Sequence, residues 1–151
     1  MLRPVFGILI VLSSLAVDVA QADAETGRYL TAAAGCYSCH TDAENEGTPF
    51  AGGHRLETEY GVFVVPNITP DPATGIGGWT DAEFIAAVKH GERPDGGYYY
   101  PAFPYATNAG STDADIIAIK RYLDSLPPES NAVADHELLW WIPPSWEMGI
   151  W

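Results

Sequence analysis

The sequence predicts a small all-α domain in which short helices and long irregular segments gather around a bound group. Three observations carry that reading. Three stretches have the caps and apolar spacing of helices. The intervals between them are too long and too poor in periodicity to hold a shape unaided. The only two cysteines, Cys36 and Cys39, stand in "GCYSCHTD" directly before His40.

The chain has 151 residues, enough for one core once any leader is subtracted. "MLRPVFGILIVLSSLAVDVAQADA" has Arg3 near its start, an apolar run from Val5 to Val17, and small residues Ala20 and Ala22 around Gln21. This is the pattern of a secretory signal peptide over residues 1–22. The apolar run falls short of the roughly 20 residues a bilayer span needs. Cleavage after Ala22 leaves 23–151 as the mature domain, with no membrane span and a periplasmic destination. The net charge of −13 excludes nucleic acid as a natural partner, because phosphate neutralisation needs clustered Lys and Arg. Acidity serves solubility, or steers the chain to a positively charged protein.

"DAETGRYLTAAA", Asp23 to Ala34, is rich in helix formers and meets a stop at Gly35. Thr41 to Gly78 is rich in Gly, Pro and Asn, with one β-prone run, "GVFVVP", ended by Pro66. It reads as a long loop wrapped on something. Thr80 and Glu83 form a capping box that opens "TDAEFIAAVKHG". Phe84, Ile85 and Val88 supply its apolar face, and Gly91 stops it. "GGYYYPAFPYATN" is too rich in aromatics and proline for a helix. Thr112 opens the last one, "TDADIIAIKRYLDSL", where Ile116, Ile119, Leu123 and Leu126 form one stripe before Pro127 and Pro128. The first and last helices are expected to cross at Gly27, with Tyr122 or Leu123 filling the gap; the alternative is that Gly27 caps a shorter helix. Residues 127–151 form an aromatic tail.

Cys-x-x-Cys admits a disulfide or a thioredoxin-like redox pair, but neither explains His40. A structural zinc site needs more ligands than the isolated His54, His90 and His136 offer. Cys-x-x-Cys-His is instead the signature of covalent haem attachment. Each thiol bonds to one vinyl group, and His40 falls beneath the ring with its imidazole toward the iron. One motif means one haem c.

"GRYLTAAAGCYSCHT", "FAGGHRLETEYGVF", "NITPD", "TGIGGWTDAEFIAAVKHG", "YYYPAFPY" and "DIIAIKRYLDSLPP" together resemble a class I cytochrome c. The likeness is to the haem modules in cytochrome subunits of bacterial periplasmic dehydrogenases, of the quinoprotein alcohol dehydrogenase type. It implies three main helices and long loops around one covalent haem, with "NITPD" and Trp79 packed at the haem edge and propionates. Such subunits often carry three modules, whereas this chain carries one.

The resemblance also implies a methionine ligand within "PAMPY", where this chain has Phe103. Either the iron has an open face or another residue fills it. His54, His90, His136, Lys89, Lys120 and Met148 are the candidates. Met148 is the only methionine besides Met1, and "HELLWWIPPSWEMGIW" is similar to tails that follow "PAFPY" in related modules. A thioether suits low-spin iron, and Trp140, Trp141, Trp146 and Trp151 would keep water from that face. The chain is then expected to be an electron carrier rather than an enzyme, passing electrons between a dehydrogenase, an oxidase or another cytochrome and the respiratory chain. A gas or redox sensor with an open or histidine-ligated iron is the alternative, and a peroxidase-like activity a third.

Overall fold

A computed structural model describes residues 24–150; the leader expected over 1–22 lies outside them, and nothing is described of the Trp146 and Ile150 side chains. The first helix, α1, covers residues 24–33. It is followed by α2 (Cys36–His40), a 3-10 turn (Ala43–Asn45), and strands β1 (Arg55–Thr58) and β2 (Gly61–Val64). Then come α3 (Asp81–His90), α4 (Tyr105–Asn108), α5 (Asp113–Asp124), β3 (Glu137–Leu138) and a closing 3-10 helix (Ser145–Ile150). No helix among the described residues is long and apolar enough to cross a membrane.

The helix ends follow their sequence signals. The Thr80 hydroxyl accepts from the Glu83 backbone N–H while the Glu83 carboxylate accepts from the Thr80 N–H, a complete capping box. Gly91 ends α3 in the left-handed conformation at φ 70°. Thr112 caps α5 by accepting from the Asp115 N–H.

α1 and α5 cross at Gly27. A Cβ there would run into the Ala118 carbonyl and lie 3.0 Å from the Tyr122 Cβ, so only glycine permits the approach. The capping alternative fails, because Gly27 lies well inside α1. The crossing closes over a core of Phe50, Ile76, Phe84, Ile116, Ile119 and Leu123, with Leu30, Ile85, Val88, Tyr122 and Leu126 packed on it. Three of the four residues of the expected α5 stripe are buried, and Leu126 packs at the edge. Phe50, from the loop, joins edge to face with Tyr37 and Tyr122 and thereby binds α2 to α5.

An all-α class is too narrow. β1 and β2 form a hairpin, with Arg55 opposite Val64 and Thr58 opposite Gly61, and β3 adds to its free edge, order β1-β2-β3. The run read as a brief interruption, "GVFV", is the central strand. Its β-branched residues suit a pleated, half-buried surface, but only a third strand arriving from the tail makes it a sheet. Gly61, at φ 115°, admits that strand, since a Cβ would meet Leu138 Cα at 2.8 Å. Arg55 then clamps Glu137 through two hydrogen bonds of 2.9 and 2.8 Å. The count of three helices is also exceeded, by the single turns α2 and α4, and α4 lies within the "GGYYYPAFPYATN" stretch read as non-helical, just after its last proline, Pro104.

Gly27→Ala tests the crossing. In an exposed helix this change would raise stability by about 0.5–1 kcal/mol; here overpacking should lower it by about 2–3 kcal/mol. Urea unfolding of the haem-loaded protein checks the sign.

Candidate haem site

Gly35, in the left-handed region at φ 72°, turns the chain between α1 and α2. One helical turn then carries Cys36, Cys39 and His40, with Cys36 half-buried against the core and Cys39 exposed. Both thiols are free. Burial pushes the Cys36 thiol up, the opposite of the activated thiolate a thioredoxin-like pair requires. Among the described residues no three His, Cys, Asp or Glu side chains gather as a closed metal site would need.

His40 is fixed by a residue far along the chain. Its Nδ1 lies 2.8 Å from the Pro66 carbonyl. A carbonyl only accepts, so Nδ1 carries the proton and Nε2 keeps its lone pair for a metal. Burial lowers the His40 pKa, the Pro66 bond opposing, which favours the neutral ring a metal ligand must be.

The Pro66 carbonyl is itself held by a small backbone zipper. Gly52 N–H donates to the His40 carbonyl at 2.8 Å, Gly53 N–H to Val65 at 2.9 Å, and Ile68 N–H to Phe50 at 2.9 Å. Gly52 stands at φ 75°, and a Cβ on it would lie 2.5 Å from the Pro66 carbonyl carbon. The glycines of "FAGGH" therefore let two loop segments and α2 meet at one point. Asn67, next in line, spends its side chain inside the loop. Its amide donates to Thr74 and to the Glu129 carbonyl, and its Oδ1 accepts from Thr69. Sequence reading placed "NITPD" at a haem edge, and what the structure gives Asn67 is the fastening of loop to tail.

The "YYYPAFPY" segment builds a second wall. Tyr99 donates its N–H to the Gly91 carbonyl at 2.6 Å and packs edge-on to Phe103 at 5.7 Å. Burial pushes the Tyr99 phenol up to about 12, and Arg93 sits 5.7 Å above its ring. Trp79, Arg93, Pro94, Asp95 and Tyr99 line a small cavity of about 200 Å³. A larger groove of about 410 Å³, between the loop at Asp42–Arg55 and the strap at Glu129–Ala134, includes neither cysteine nor His40.

The candidates for the opposite side of an iron separate by their contacts. Lys89 is bound to Asp113 at 2.7 Å and the buried Lys120 to Asp124 at 2.8 Å. His136 accepts the Val64 N–H on Nδ1 and packs edge-on to Phe63 and Tyr100. Its pKa is lowered by burial and then by the Arg93 charge. His90 is exposed at the end of α3, and His54 is half-buried in the turn before β1. Met148 is half-buried in the closing 3-10 helix. That helix lies on the aromatic segment: the Ser145 carbonyl accepts from the Tyr98 N–H at 3.2 Å, and the Tyr100 hydroxyl donates to Pro143 at 3.1 Å. Phe103 is three residues beyond Tyr100. The expected shielding by tryptophans is not met by Trp140 and Trp141, which are 93% and 51% exposed. Leu139 and Ile142 close a tight turn that throws both indoles outward.

The donor set fits a covalent haem. Two thiols one helical turn apart and a neutral, pre-oriented imidazole at the next residue are what thioether attachment and axial ligation require. Sequence reading found these three residues but missed their support, Gly52 and the Pro66 carbonyl. The only signal for it was the paired glycine in "FAGGH".

A family model described as Cytochrome c matches residues 24–127, the span that contains α1 through α5. The diheme cytochrome c-type protein of Cereibacter sphaeroides is 44% identical over 119 residues, 77% of this chain and 40% of its own. The cytochrome c subunit of gluconate 2-dehydrogenase from Pantoea cypripedii is 37% identical over 126 residues, 83% of this chain and 28% of that one. The cytochrome c subunit of alcohol dehydrogenase (quinone) from Gluconacetobacter polyoxogenes is 36% identical over 135 residues, 89% and 28%. The chain thus spans between a quarter and a half of the length of these relatives. A match over most of the chain, with the Cys36–His40 turn inside it, means that the chain belongs to the cytochrome c family.

Proposed function

We propose that this chain is a mono-haem c-type cytochrome that carries electrons in the periplasm, from a dehydrogenase toward the respiratory chain. In this reading residues 1–22 are its export signal and 23–151 its haem domain. Cys36 and Cys39 would hold the haem covalently, and His40 and Met148 would ligate its iron. The observation that carries it is the 2.8 Å bond between His40 Nδ1 and the Pro66 carbonyl, one turn from Cys36 and Cys39, which leaves the Nε2 lone pair free for iron. The names of the relatives, cytochrome subunits of dehydrogenases, support the direction of electron flow.

When bound, the haem supplies a one-electron couple; the chain supplies attachment, orientation and burial. The thiols fix the ring to α2, so it cannot dissociate. The Pro66 carbonyl keeps the imidazole from rotating and raises its basicity. Tyr99 packed on Phe103, and the tail bonded to Tyr98 and Tyr100, would limit water beside a haem held there and so disfavour the extra positive charge of its oxidised state. Lys89, Lys120 and His136 are disfavoured as ligands because both lysines are ion-paired and His136, accepting the Val64 N–H on Nδ1, keeps its ring proton on Nε2. A sensor with an open iron is the second reading, motivated by Phe103 where a methionine ligand would stand.

A visible spectrum of both oxidation states, with carbon monoxide added to the reduced protein, tests this. Six-coordinate spectra and slow carbon monoxide binding are expected; rapid binding by unmodified protein would sink the carrier reading. Met148→Ala should abolish the methionine-to-iron charge-transfer band and lower the potential on the order of 0.1 V, within the roughly 0.8 V range that axial ligands span. A band that survives the change assigns the ligand elsewhere. Gly52→Ala should cost about 2 kcal/mol through its backbone conformation and collision with Pro66. Guanidinium unfolding followed at the Soret band measures it.

A further inference from the structure

The tail leaves an apolar patch that the haem site does not use. Trp140 is 93% exposed, Trp141 51%, and Leu139 and Tyr60 44% each. These side chains are not on a loose end. β3 is paired to β2, the Leu139 N–H donates to the Tyr60 carbonyl at 3.0 Å, and Trp141 packs edge-on to Tyr60 at 6.1 Å. Beyond them Pro143 and Ser145 are bonded to Tyr100 and Tyr98. A tail fastened on both sides of an outward-facing Trp pair presents those indoles as a fixed surface.

Charge says what the surface meets. The segments that carry it, residues 56–60 and 137–141, contain no Lys or Arg, Arg55 just before them is paired with Glu137, and Glu57 and Glu59 stand exposed on the hairpin that carries Tyr60. Five of the chain's seven cations, Arg55, Lys89, Arg93, Lys120 and Arg121, are spent in ion pairs with acids of the same chain. An acidic rim around an aromatic centre repels an anionic bilayer and a second copy of an equally acidic chain. It attracts a protein whose apolar cleft is bordered by Lys and Arg.

From this we infer that Tyr60, Leu139, Trp140 and Trp141, rimmed by Glu57 and Glu59, form the docking surface for a redox-partner protein with a basic-rimmed apolar cleft. This rests on the carrier reading above. The Trp pair anchors, the carboxylates steer, and the bonds of the tail to Tyr98 and Tyr100 connect the docked face with the segment that leads to Phe103.

The test uses oxidised haem-loaded protein mixed with membranes of the producing bacterium supplied with ethanol, gluconate and fructose. Trp140→Ser/Trp141→Ser should be reduced about tenfold more slowly than the wild type, as loss of a Trp hot spot implies. Reduction by ascorbate should be unchanged. Glu57→Gln/Glu59→Gln should flatten the fall of the rate with salt. Should the double variant not accumulate, Trp140→Ser alone carries the same expectation, its side chain being almost wholly in solvent. Equal rates for all variants overturn the inference, as does a wild-type haem that ascorbate reduces and the membranes never do. Sedimentation with protein-free phosphatidylcholine vesicles, with or without phosphatidylglycerol, that is lost with the tryptophans assigns the patch to lipid and overturns it too. So does a wild-type dimer that the double variant dissolves. Rapid carbon monoxide binding overturns the carrier reading itself, whatever the rates.

Discussion

The bond from His40 Nδ1 to the Pro66 carbonyl spans 26 residues of sequence, and much of the fold follows from keeping it. Pro66 has no N–H to anchor its own position, so the carbonyl is held by its neighbours, with Gly53 donating to Val65 and Ile68 to Phe50. Phe50 in turn sits in the core between Tyr37 and Tyr122. One hydrogen bond to the imidazole is therefore backed by the contact between α2, the loop and α5. An imidazole held this way is already oriented for the iron ligation proposed above.

A second constraint is closure without a large core. Among the described residues the buried large apolar side chains are few, Phe50, Phe63, Val64, Ile76, Phe84, Ile116, Ile119 and Leu123, of which Ile116 and Leu123 are the most fully enclosed. Stability has to come from close approach and from fastening. Gly27 supplies the first, bringing the α1 and α5 backbones together. The Asn67, Thr69 and Thr74 side chains supply the second, binding the loop to Glu129 and Asn131 at the start of the tail. Arg55 and Glu137 repeat the arrangement at the sheet. This pair is exposed, so its value lies in register more than in energy.

The tail joins both themes. It completes the sheet with β3, then turns outward at Trp140 and Trp141, then returns to the Tyr98–Tyr100 segment. One stretch therefore offers a surface to the outside and covers the interior.

Local signals in the sequence are physically self-contained, and those were legible. A capping box at Thr80 and Glu83, a left-handed stop at Gly91 and a three-four-three stripe on α5 involve neighbours on one helix, so spacing determines them. Cys36, Cys39 and His40 share one turn for the same reason. The Gly27 crossing was readable because glycine inside a helix costs stability unless a neighbour needs the room. What depended on partners far along the chain was not readable. "GVFV" has β propensity and pairs with its neighbour β1, but its other edge is taken by a tail strand that arrives more than seventy residues later. Trp140 and Trp141 look from composition like a shield for the iron, and only the turn from Leu139 to Ile142 decides that they face solvent. The sequence by itself determined the three main helices, their caps and the spacing of Cys36, Cys39 and His40, because each is set within a few bonds or one helical turn. The tertiary structure alone decided which carbonyl holds the imidazole and where the tail lies, because those depend on contacts whose partners no local spacing can name.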